Sequence, residues 1–570
     1  RYARFCLPPH LSRACSKCSI CTLALKKQHT HCTITLPPAR ARSLSLVRQK
    51  LYDFGSYWRD AAGNFSTFPE RLKQSGYQTH SIGKVFHPLS AMKKGNHEDD
   101  FPYSWTEPGW HPSTEKFKGA AICPPLPGVQ PQHSATNNKT YLNLLCPVDA
   151  ATMKLNGGSL PDIQSTDRAL ALLANLSSIA MKAKAAAGLG EAEAIASPWF
   201  IAVGYHKPHI PLKFPAKYLD LHPLESVTAP PSPTLPALLP TVAYEPWMDV
   251  RKRDDVKAVE ATFNVSFPFG LLPTNFAKQI RQHYYAAISY VDNELGRVVD
   301  ALDASPFADN TIVVLFGDHG WQLGERAEWA KYSTCETATR IPLIIRVPPS
   351  LLAFTPASAT AGRTSTAMIE IVDIGPTLLD FAGASGRAHS VICPPAQGNT
   401  SRSEPEDCVE GSSFKALLVG EAGDDIQNAT KAWPKHAAFS QYTGHSPYGV
   451  TTNWTDMADC NGISVMGYTM RTAALRYTEW VSFSCAQNMD DVSVPIQSQA
   501  DWSKVIAVEL YVHNTTAMPS TSSAADSREE ENNDVYEANN VAEDPQYVDL
   551  IDTLSAQLRA GWRASVLITA

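Results

Sequence analysis

Two stretches of the sequence place basic side chains directly after an apolar run of strand-like length. Lys84 and His87 follow the run THSIG, and His206 and Lys207 follow the run WFIAVG. Cationic groups balance the charge of an oxyanion, and a histidine beside a bridging oxygen protonates a leaving alcohol. The four residues are therefore candidates for chemistry on an anionic ester, either a sulfate or a phosphate.

A third apolar run, TIVVLF, ends in an acid and a histidine. Asp318 and His319 follow it, Gly320 comes next, and Lys331 stands thirteen residues beyond Asp318. A carboxylate beside an imidazole suits a hard divalent cation, and glycine lets the backbone turn sharply beside the bound group. The alternative is a simple strand-end turn with a capping aspartate.

Alternating strands and helices predict how these residues come together. Apolar strands such as 311–316 are separated by amphipathic segments, of which 277–302 is the longest. This alternation predicts an α/β fold with a mainly parallel sheet covered by helices on both faces. Ligands of such sheets lie at the carboxyl ends of the strands, so we expect the candidate residues to meet at one edge.

The composition and residue pattern of the chain change twice. Residues 1–50 hold clustered Cys, His, Arg and Pro without a period and are assigned as an unmatched segment, disordered or the product of an erroneous gene prediction. Residues 51–435 form the predicted catalytic α/β domain. Residues 436–570 form a smaller α+β subdomain, because ISVMGYTMRT and LRYTEWVSF alternate as in an antiparallel hairpin. A Ser-rich, acidic insertion near 514–534 is predicted to be disordered.

Composition limits the partners of the protein. The net charge is -7, apolar residues make up 44% and charged residues 18% of the 570 residues. No basic stripe suggests nucleic-acid binding, and no apolar run reaches the roughly 18–20 residues of a membrane span. The sequence does not indicate an oligomeric state.

Glycosylation sequons and cysteines favour a lysosomal or secreted protein. The N-x-S/T sequons are at Asn64, Asn138, Asn175, Asn264, Asn399, Asn428, Asn453 and Asn514. Cys123 with Cys146 and Cys393 with Cys408 are locally spaced pairs that we interpret as disulfides, the alternative being reduced thiols. The cluster Cys-x2-Cys-x2-Cys at 15–21 superficially suits zinc but lacks a clean second half-site.

Long segments of the chain resemble the type I sulfatases of the alkaline-phosphatase-like superfamily. These segments include LYDFGSYWR, GKVFHP, LPDIQST, AVGYHKPHIP, DHGWQLGERAEWAKYS and MGYTMRT, and the resemblance covers roughly residues 51 to 545. It implies an alkaline-phosphatase-like sheet with a smaller C-terminal subdomain that contains an antiparallel sheet. It also implies one bound Ca²⁺ and hydrolysis of a sulfated sugar, namely removal of the 2-O-sulfate from uronate residues of glycosaminoglycans.

The resemblance also implies a role for each candidate residue, and it supports both disulfides. It implies that Asp318 and His319 ligate calcium, that Lys84 and Lys331 contact the sulfate, and that His87 pairs with the nucleophile. It also implies that His206 protonates the leaving group or contacts the sulfate, and that Trp321 and Lys207 bind the substrate.

The chain departs from the family pattern before residue 53. Family members carry two aspartates that complete the calcium site and a C-x-P-S-R motif whose cysteine becomes the formylglycine nucleophile. Here no Asp or Glu precedes Asp53, and Cys32 is followed by TITL. We therefore expect an incomplete calcium site, no nucleophile and no activity of the chain as written. Alternatives are a non-catalytic sulfated-glycan-binding pseudoenzyme and a phosphodiesterase or phosphonate hydrolase of the same superfamily.

Overall fold

A computed structural model describes most of the catalytic region and parts of the C-terminal region. The described residues are 66–86, 98–124, 141–187, 197–348, 351, 364–384, 411–419, 430, 433–444, 463–486, 497–513 and 534–561. His87, Cys393, Cys408, the segment 1–50 and nearly all of the predicted insertion at 514–534 lie outside them. Predictions that concern those residues stay predictions.

Helices and strands alternate through the first part of the chain. The α-helices are α1 (Phe68–Gln74), α2 (Ala150–Leu155), α3 (Pro161–Ala187), α4 (Met248–Arg251), α5 (Asp254–Thr262), α6 (Thr274–Asp303), α7 (Glu336–Thr339), α8 (Ile374–Phe381), α9 (Lys415–Val419) and α10 (Val548–Ala560). The strands are β1 (Gln78–Gly83), β2 (Leu145–Val148), β3 (Trp199–Gly204), β4 (Leu212–Pro215), β5 (Val313–Phe316), β6 (Leu343–Arg346), β7 (Ala437–Thr443), β8 (Val465–Thr472), β9 (Leu475–Ala486) and β10 (Gln497–Val512). Short 3₁₀ turns connect several of them, including Glu115–Phe117 and Glu325–Ala327.

Strands β1 and β3 form the parallel pair that leads to the site. They run in register from Gln78 opposite Trp199 to Gly83 opposite Gly204. Most residues of both strands are buried, as expected of a parallel sheet with both faces covered. Strands β2 and β4 form a second parallel pair.

Strand β5 lies in the same layer as β1 and β3. Val313 shares a buried cluster with Ile82 and Val203 on one face. Its neighbour Val314 shares a different cluster with Phe200 on the other face. Successive residues of a strand point to opposite faces, so a strand that contributes to both clusters lies between them.

One strand pairing differs from the predicted parallel pattern. Strand β6 pairs antiparallel with β5, with Phe316 opposite Leu343. The chain between them forms a long loop with the short helix α7 and returns to the end of the strand that it left. A parallel pairing would require a crossover to the opposite end, which this connection does not make.

Helices α3 and α6 pack together against the β1–β3 pair. Leu172 and Leu176 of α3 share a cluster with Val298 and Leu302 of α6, and the cluster includes Ile82 of β1. Helix α6 extends a few residues beyond the predicted 277–302 at its amino end and one at its carboxyl end. None of the helices in the described part of the chain is long and apolar enough to cross a bilayer.

The C-terminal region forms a four-stranded antiparallel sheet in the order β10-β9-β8-β7. Leu554 and Leu558 of α10 pack on it against Met466 and Tyr468. The two predicted hairpin runs correspond to β8 and β9, which pair antiparallel. The fold class is therefore confirmed, whereas the domain boundary near residue 436 stays a prediction.

One predicted disulfide lies within the described residues. Cys123 and Cys146 are bonded, with Cα atoms 5.2 Å apart, and both are fully buried. The bond joins β2 to the segment before residue 125. Disulfides persist in oxidising compartments, so this bond agrees with the predicted route of the protein.

The end of the β1–β3 pair tolerates no side chain at position 204. A Cβ atom on Gly204 would lie 2.0 Å from the carbonyl oxygen of Lys84. We expect Gly204→Ala to lower the free energy of unfolding by about 2–3 kcal/mol, because backbone atoms must separate. Gly119→Ala is the matched control, since nothing lies within 4 Å of its added Cβ. Chemical denaturation that gives equal stabilities for the two variants would contradict this close approach.

Candidate active site

Lys84 and His206 come from strands that end side by side. Gly83 and Gly204 are the last paired residues, and the Lys84 amide donates to the Gly204 carbonyl at 2.9 Å. Lys84 follows directly, and His206 comes two residues after Gly204. The structure thus brings these two predicted site segments to one edge of the sheet, as parallel strands require.

His206 is buried between two carboxylates. Its backbone amide donates to Asp162 Oδ1 at 2.5 Å, which fixes the start of the loop on the first turn of α3. Its Nε2 atom lies 3.2 Å from Glu115 Oε1, and its Nδ1 atom lies 3.6 Å from Asp162 Oδ1. The ring is 8% exposed. Its orientation is therefore set by hydrogen bonding and not by solvent.

Lys207 directs its ammonium into its own loop. The Nζ atom donates to the carbonyl oxygens of His209 at 2.5 Å and Pro211 at 2.7 Å. Burial lowers the pKa of Lys207 to about 8, although the negative charge of Asp162 opposes this shift. In this arrangement the lysine stabilises the loop, and its contact with a substrate stays a prediction.

Asp318 and His319 follow β5 at a turn that requires glycine. The Gly320 amide donates to the Ala338 carbonyl at 2.8 Å, and a Cβ atom at Gly320 would lie 2.1 Å from the Thr337 carbonyl. Nδ1 of His319 donates to the Gly320 carbonyl at 2.7 Å. A neutral imidazole that donates from Nδ1 has its lone pair on Nε2, which is the form that ligates metals.

The described residues do not form a complete site for the predicted calcium ion. Asp318 Oδ2 and His319 Nε2 lie 3.2 Å apart. Among the described residues, no group of three or more His, Cys, Asp or Glu side chains is placed to hold a metal ion. Calcium takes six to eight oxygen ligands. These two donors therefore do not complete such a site, and we derive no catalytic step through the ion.

The long loop between β5 and β6 also carries Trp321 and Lys331. The half-buried Trp321 ring lies 6.4 Å from the His319 ring, centroid to centroid, and packs against the core cluster that contains Trp329. Lys331 is buried, with Nζ 5.4 Å from the centroid of the Tyr332 ring. Trp321 thus stands beside a predicted metal ligand, while the predicted sulfate contact of Lys331 stays a prediction.

The C-terminal region anchors this loop through buried charges. Arg476 of β9 donates to Glu537 Oε1 at 2.8 Å, and Glu537 Oε2 accepts the amide of Glu336 at 3.2 Å. Arg326 lies in the loop, and its Nη2 atom is 3.7 Å from Glu509 Oε2. These groups are almost fully buried. Loss of one partner would leave a buried charge uncompensated, so the loop is held firmly on its far side.

The sequence interpretation missed the acids that surround His206. Asp162 stands in LPDIQST and Glu115 in HPSTEK, and neither segment contributed a predicted site residue. His111 precedes the 3₁₀ turn that begins at Glu115, so the spacing of the two residues is not that of a helix face and offered no signal. Contact with His206 depends on a separation of 91 residues, which no local pattern reveals.

Comparison with known proteins identifies the family. The chain matches the sequence model of the family described as Sulfatase over residues 23–384. It is 39% identical over 487 residues to iduronate 2-sulfatase of Mus musculus and 39% identical over 481 residues to that of Homo sapiens, covering 81% of this chain and 77% of each relative. The chain belongs to the sulfatase family, whose members are sulfuric ester hydrolases.

A solved structure supports the same fold. The phosphonate monoester hydrolase of Silicibacter pomeroyi superposes with a TM-score of 0.52 at 19% identity, covering 96% of this chain and 89% of that one. The predicted family and the predicted α/β fold are therefore both confirmed. The family match begins inside the segment 1–50, and the assignment of that segment stays a prediction.

A calcium titration tests whether Asp318 and His319 are sufficient to bind the ion. Calcium titrated into the full chain should bind with a dissociation constant of about 1 mM or weaker, because two donors are too few. Asp318→Asn should remove the remaining binding, whereas Asp309→Asn, at an exposed position, should not change it. Isothermal titration calorimetry provides the measurement. Micromolar affinity would show that further ligands complete the site.

Proposed function

We propose that this sulfatase recognises the 2-O-sulfate of a uronate residue in a glycosaminoglycan. The observation that carries the proposal is the 39% identity with two iduronate 2-sulfatases over 81% of the chain. The segments that hold Lys84, His206 and Asp318 lie within residues 23–384, which match the sulfatase family. Each segment directly follows a strand, and this position supports the proposal that they bind a sulfate ester.

The proposed roles follow from charge. Lys84 and Lys331 would neutralise sulfate oxygens, and His206 would contact the sulfate or protonate the leaving alcohol. Trp321, half-buried beside His319, would pack on the sugar ring, and Lys207 would assist from the neighbouring loop. His87, outside the described residues, would pair with the nucleophile. Each role is carried over from the family pattern and rests on the position of the residue after its strand.

Two groups used by the family would complete the chemistry. Asp318 and His319 are the residues that would contribute to holding Ca²⁺, which would supply positive charge, and formylglycine would supply the nucleophile. The sequence of this chain contains no C-x-P-S-R motif for the second group. We therefore propose that the chain as written binds a sulfate ester but does not hydrolyse it. The alternative of a phosphodiesterase or phosphonate hydrolase of the same superfamily stays a prediction.

A lysosomal or secreted location is proposed with the same function. The two sequon asparagines within the described residues, Asn175 and Asn264, are both exposed and open to glycosylation. The disulfide between Cys123 and Cys146 also fits an oxidising compartment.

Hydrolysis and binding can be measured separately. The purified chain should not release inorganic sulfate from 4-methylumbelliferyl iduronide-2-sulfate, since the nucleophile motif is missing, but should bind this ligand in calorimetry. The unsulfated iduronide is the control ligand and should not bind. Turnover above that of heat-treated protein would contradict the proposed inactivity. Equal binding of the sulfated and unsulfated sugars would contradict the proposed recognition of sulfate.

Lys331 tests the role of positive charge in the pocket. Lys331→Met keeps much of the buried aliphatic stem but removes the ammonium, so binding of the sulfated iduronide should weaken by about tenfold or more. Lys217→Met is a matched control, because Lys217 stacks over Tyr218 as Lys331 does over Tyr332 but lies outside the predicted site. Equal affinities of the two variants would show that Lys331 does not contact the sulfate.

A further inference from the structure

Carboxylates and imidazoles alternate in a row that ends at His206. Asp99 Oδ2 lies 2.7 Å from His111 Nε2, and His111 Nδ1 lies 3.1 Å from Glu115 Oε2. Glu115 Oε1 then lies 3.2 Å from His206 Nε2. Asp162 lies on the other side of His206, beyond the end of this row. Glu115 therefore touches His206 with one oxygen and a second histidine with the other.

The backbone around Asp99 is shaped for its contact with His111. Asp99 has a φ of 53°, in the left-handed region that non-glycine residues seldom occupy. A Cβ atom at Gly109 would lie 2.2 Å from Asp99 Oδ2, so only glycine leaves room for the carboxylate. Such strain persists only where surrounding contacts maintain it. The backbone around Asp99 and Gly109 thus fixes the contact between Asp99 and His111.

The contact between His111 and Glu115 shifts the pKa values of the two side chains in opposite directions. Hydrogen bonds that His111 donates to Asp99 and to Glu115, in that order of effect, raise the pKa of His111 to about 10, although burial opposes this shift. Burial alone would raise the pKa of Glu115, but hydrogen bonds from His111 and His206 outweigh it and hold that pKa well below its usual range. His111 and Glu115 therefore stabilise each other electrostatically.

The two nitrogens of His206 have different surroundings. Nε2 is bonded to Glu115, whereas Nδ1 is buried and makes no hydrogen bond within the described part of the chain. Its 3.6 Å separation from Asp162 Oδ1 exceeds hydrogen-bond distance. Asp162 instead accepts the backbone amides of His206 and Lys207. A buried polar atom without a hydrogen-bond partner is costly unless a ligand satisfies it.

We propose that Glu115 is a positioning residue of the sulfate-ester site: by binding Nε2 of His206, it orients the ring so that Nδ1 is offered to the bound ester. His111 and Asp99 hold Glu115 in place for this task. The inference rests on the proposed function, because it assigns the ester as the partner of Nδ1. The charged groups that face the ring are Glu115 and Asp162, with the Lys207 ammonium directed into the neighbouring loop.

A double-mutant cycle tests the inference. Binding of 4-methylumbelliferyl iduronide-2-sulfate to the full chain would be measured by calorimetry for the wild type, Glu115→Gln, His206→Gln and the double variant. Glu115→Gln should weaken binding by about tenfold, as expected for loss of a hydrogen bond to a charged group. The double variant should bind no more weakly than His206→Gln, because Glu115 acts through His206. Additive losses, or no loss in Glu115→Gln, would overturn the proposal.

Glu107→Gln is the matched control. Glu107 accepts from His80 Nδ1 at 2.9 Å, so it is another histidine-bound glutamate, away from His206. Its substitution should leave the affinity unchanged. A general loss of affinity in both glutamate variants would show that the effect is structural and would overturn the positioning role.

Nitrogen-15 spectra of the histidine rings separate this inference from the proposed function. Glu115→Gln should shift the Nε2 resonance of His206, and ligand should shift its Nδ1 resonance. A ligand-induced shift of Nε2 alone would overturn the assignment of the nitrogens. If the wild type binds no sulfated ligand, the proposed function is wrong. The effect of Glu115→Gln on the Nε2 resonance of the ligand-free protein still shows whether Glu115 contacts the His206 ring. An unchanged resonance in Glu115→Gln would overturn that contact.

Discussion

The close approach of two backbones at the end of β1 and β3 is the constraint on which the site depends. Lys84 donates its amide to Gly204, and no side chain fits at that glycine because the Lys84 carbonyl occupies the space. The following residues of both strands therefore leave the sheet at the same place. This geometry brings Lys84 and the His206 loop to one edge before any ligand is bound.

Buried polar side chains at the strand ends must be stabilised by the protein itself. The structure does this differently for Lys207 and for His206. Lys207 is held by carbonyl oxygens of its own loop, whereas His206 is held by the carboxylate of Glu115. Groups that are already paired lose less freedom when a ligand arrives. Preorganised polar groups of this kind are the main source of oxyanion stabilisation in enzymes.

The C-terminal sheet supports the site from a distance. The loop that carries Asp318, Trp321 and Lys331 is long and has little regular structure, so its own hydrogen bonds cannot fix it. Glu537 accepts from Arg476 of the sheet and from the start of α7, and thereby joins the sheet to the loop. The antiparallel region thus contributes to the geometry of the site although it supplies none of the predicted site residues.

The sequence by itself determined the family, the α/β fold, the order of the main elements and the bonded pair Cys123–Cys146. These properties follow from local apolar periodicity, strand-end glycines and long matching segments. It also located Lys84, His206 and Asp318 at strand ends, because each follows directly on its own strand. Such features depend on residues close together in the chain.

Only the tertiary structure decided which acids surround His206, where the Lys207 ammonium points and how β5 pairs. Glu115 is 91 residues from His206, and Asp162 lies on a different helix, so neither contact leaves a local signature. The antiparallel β5–β6 pairing depends on the course of a loop with little regular structure. Side-chain contacts across long sequence separations arise from packing, and packing is a property of the whole fold.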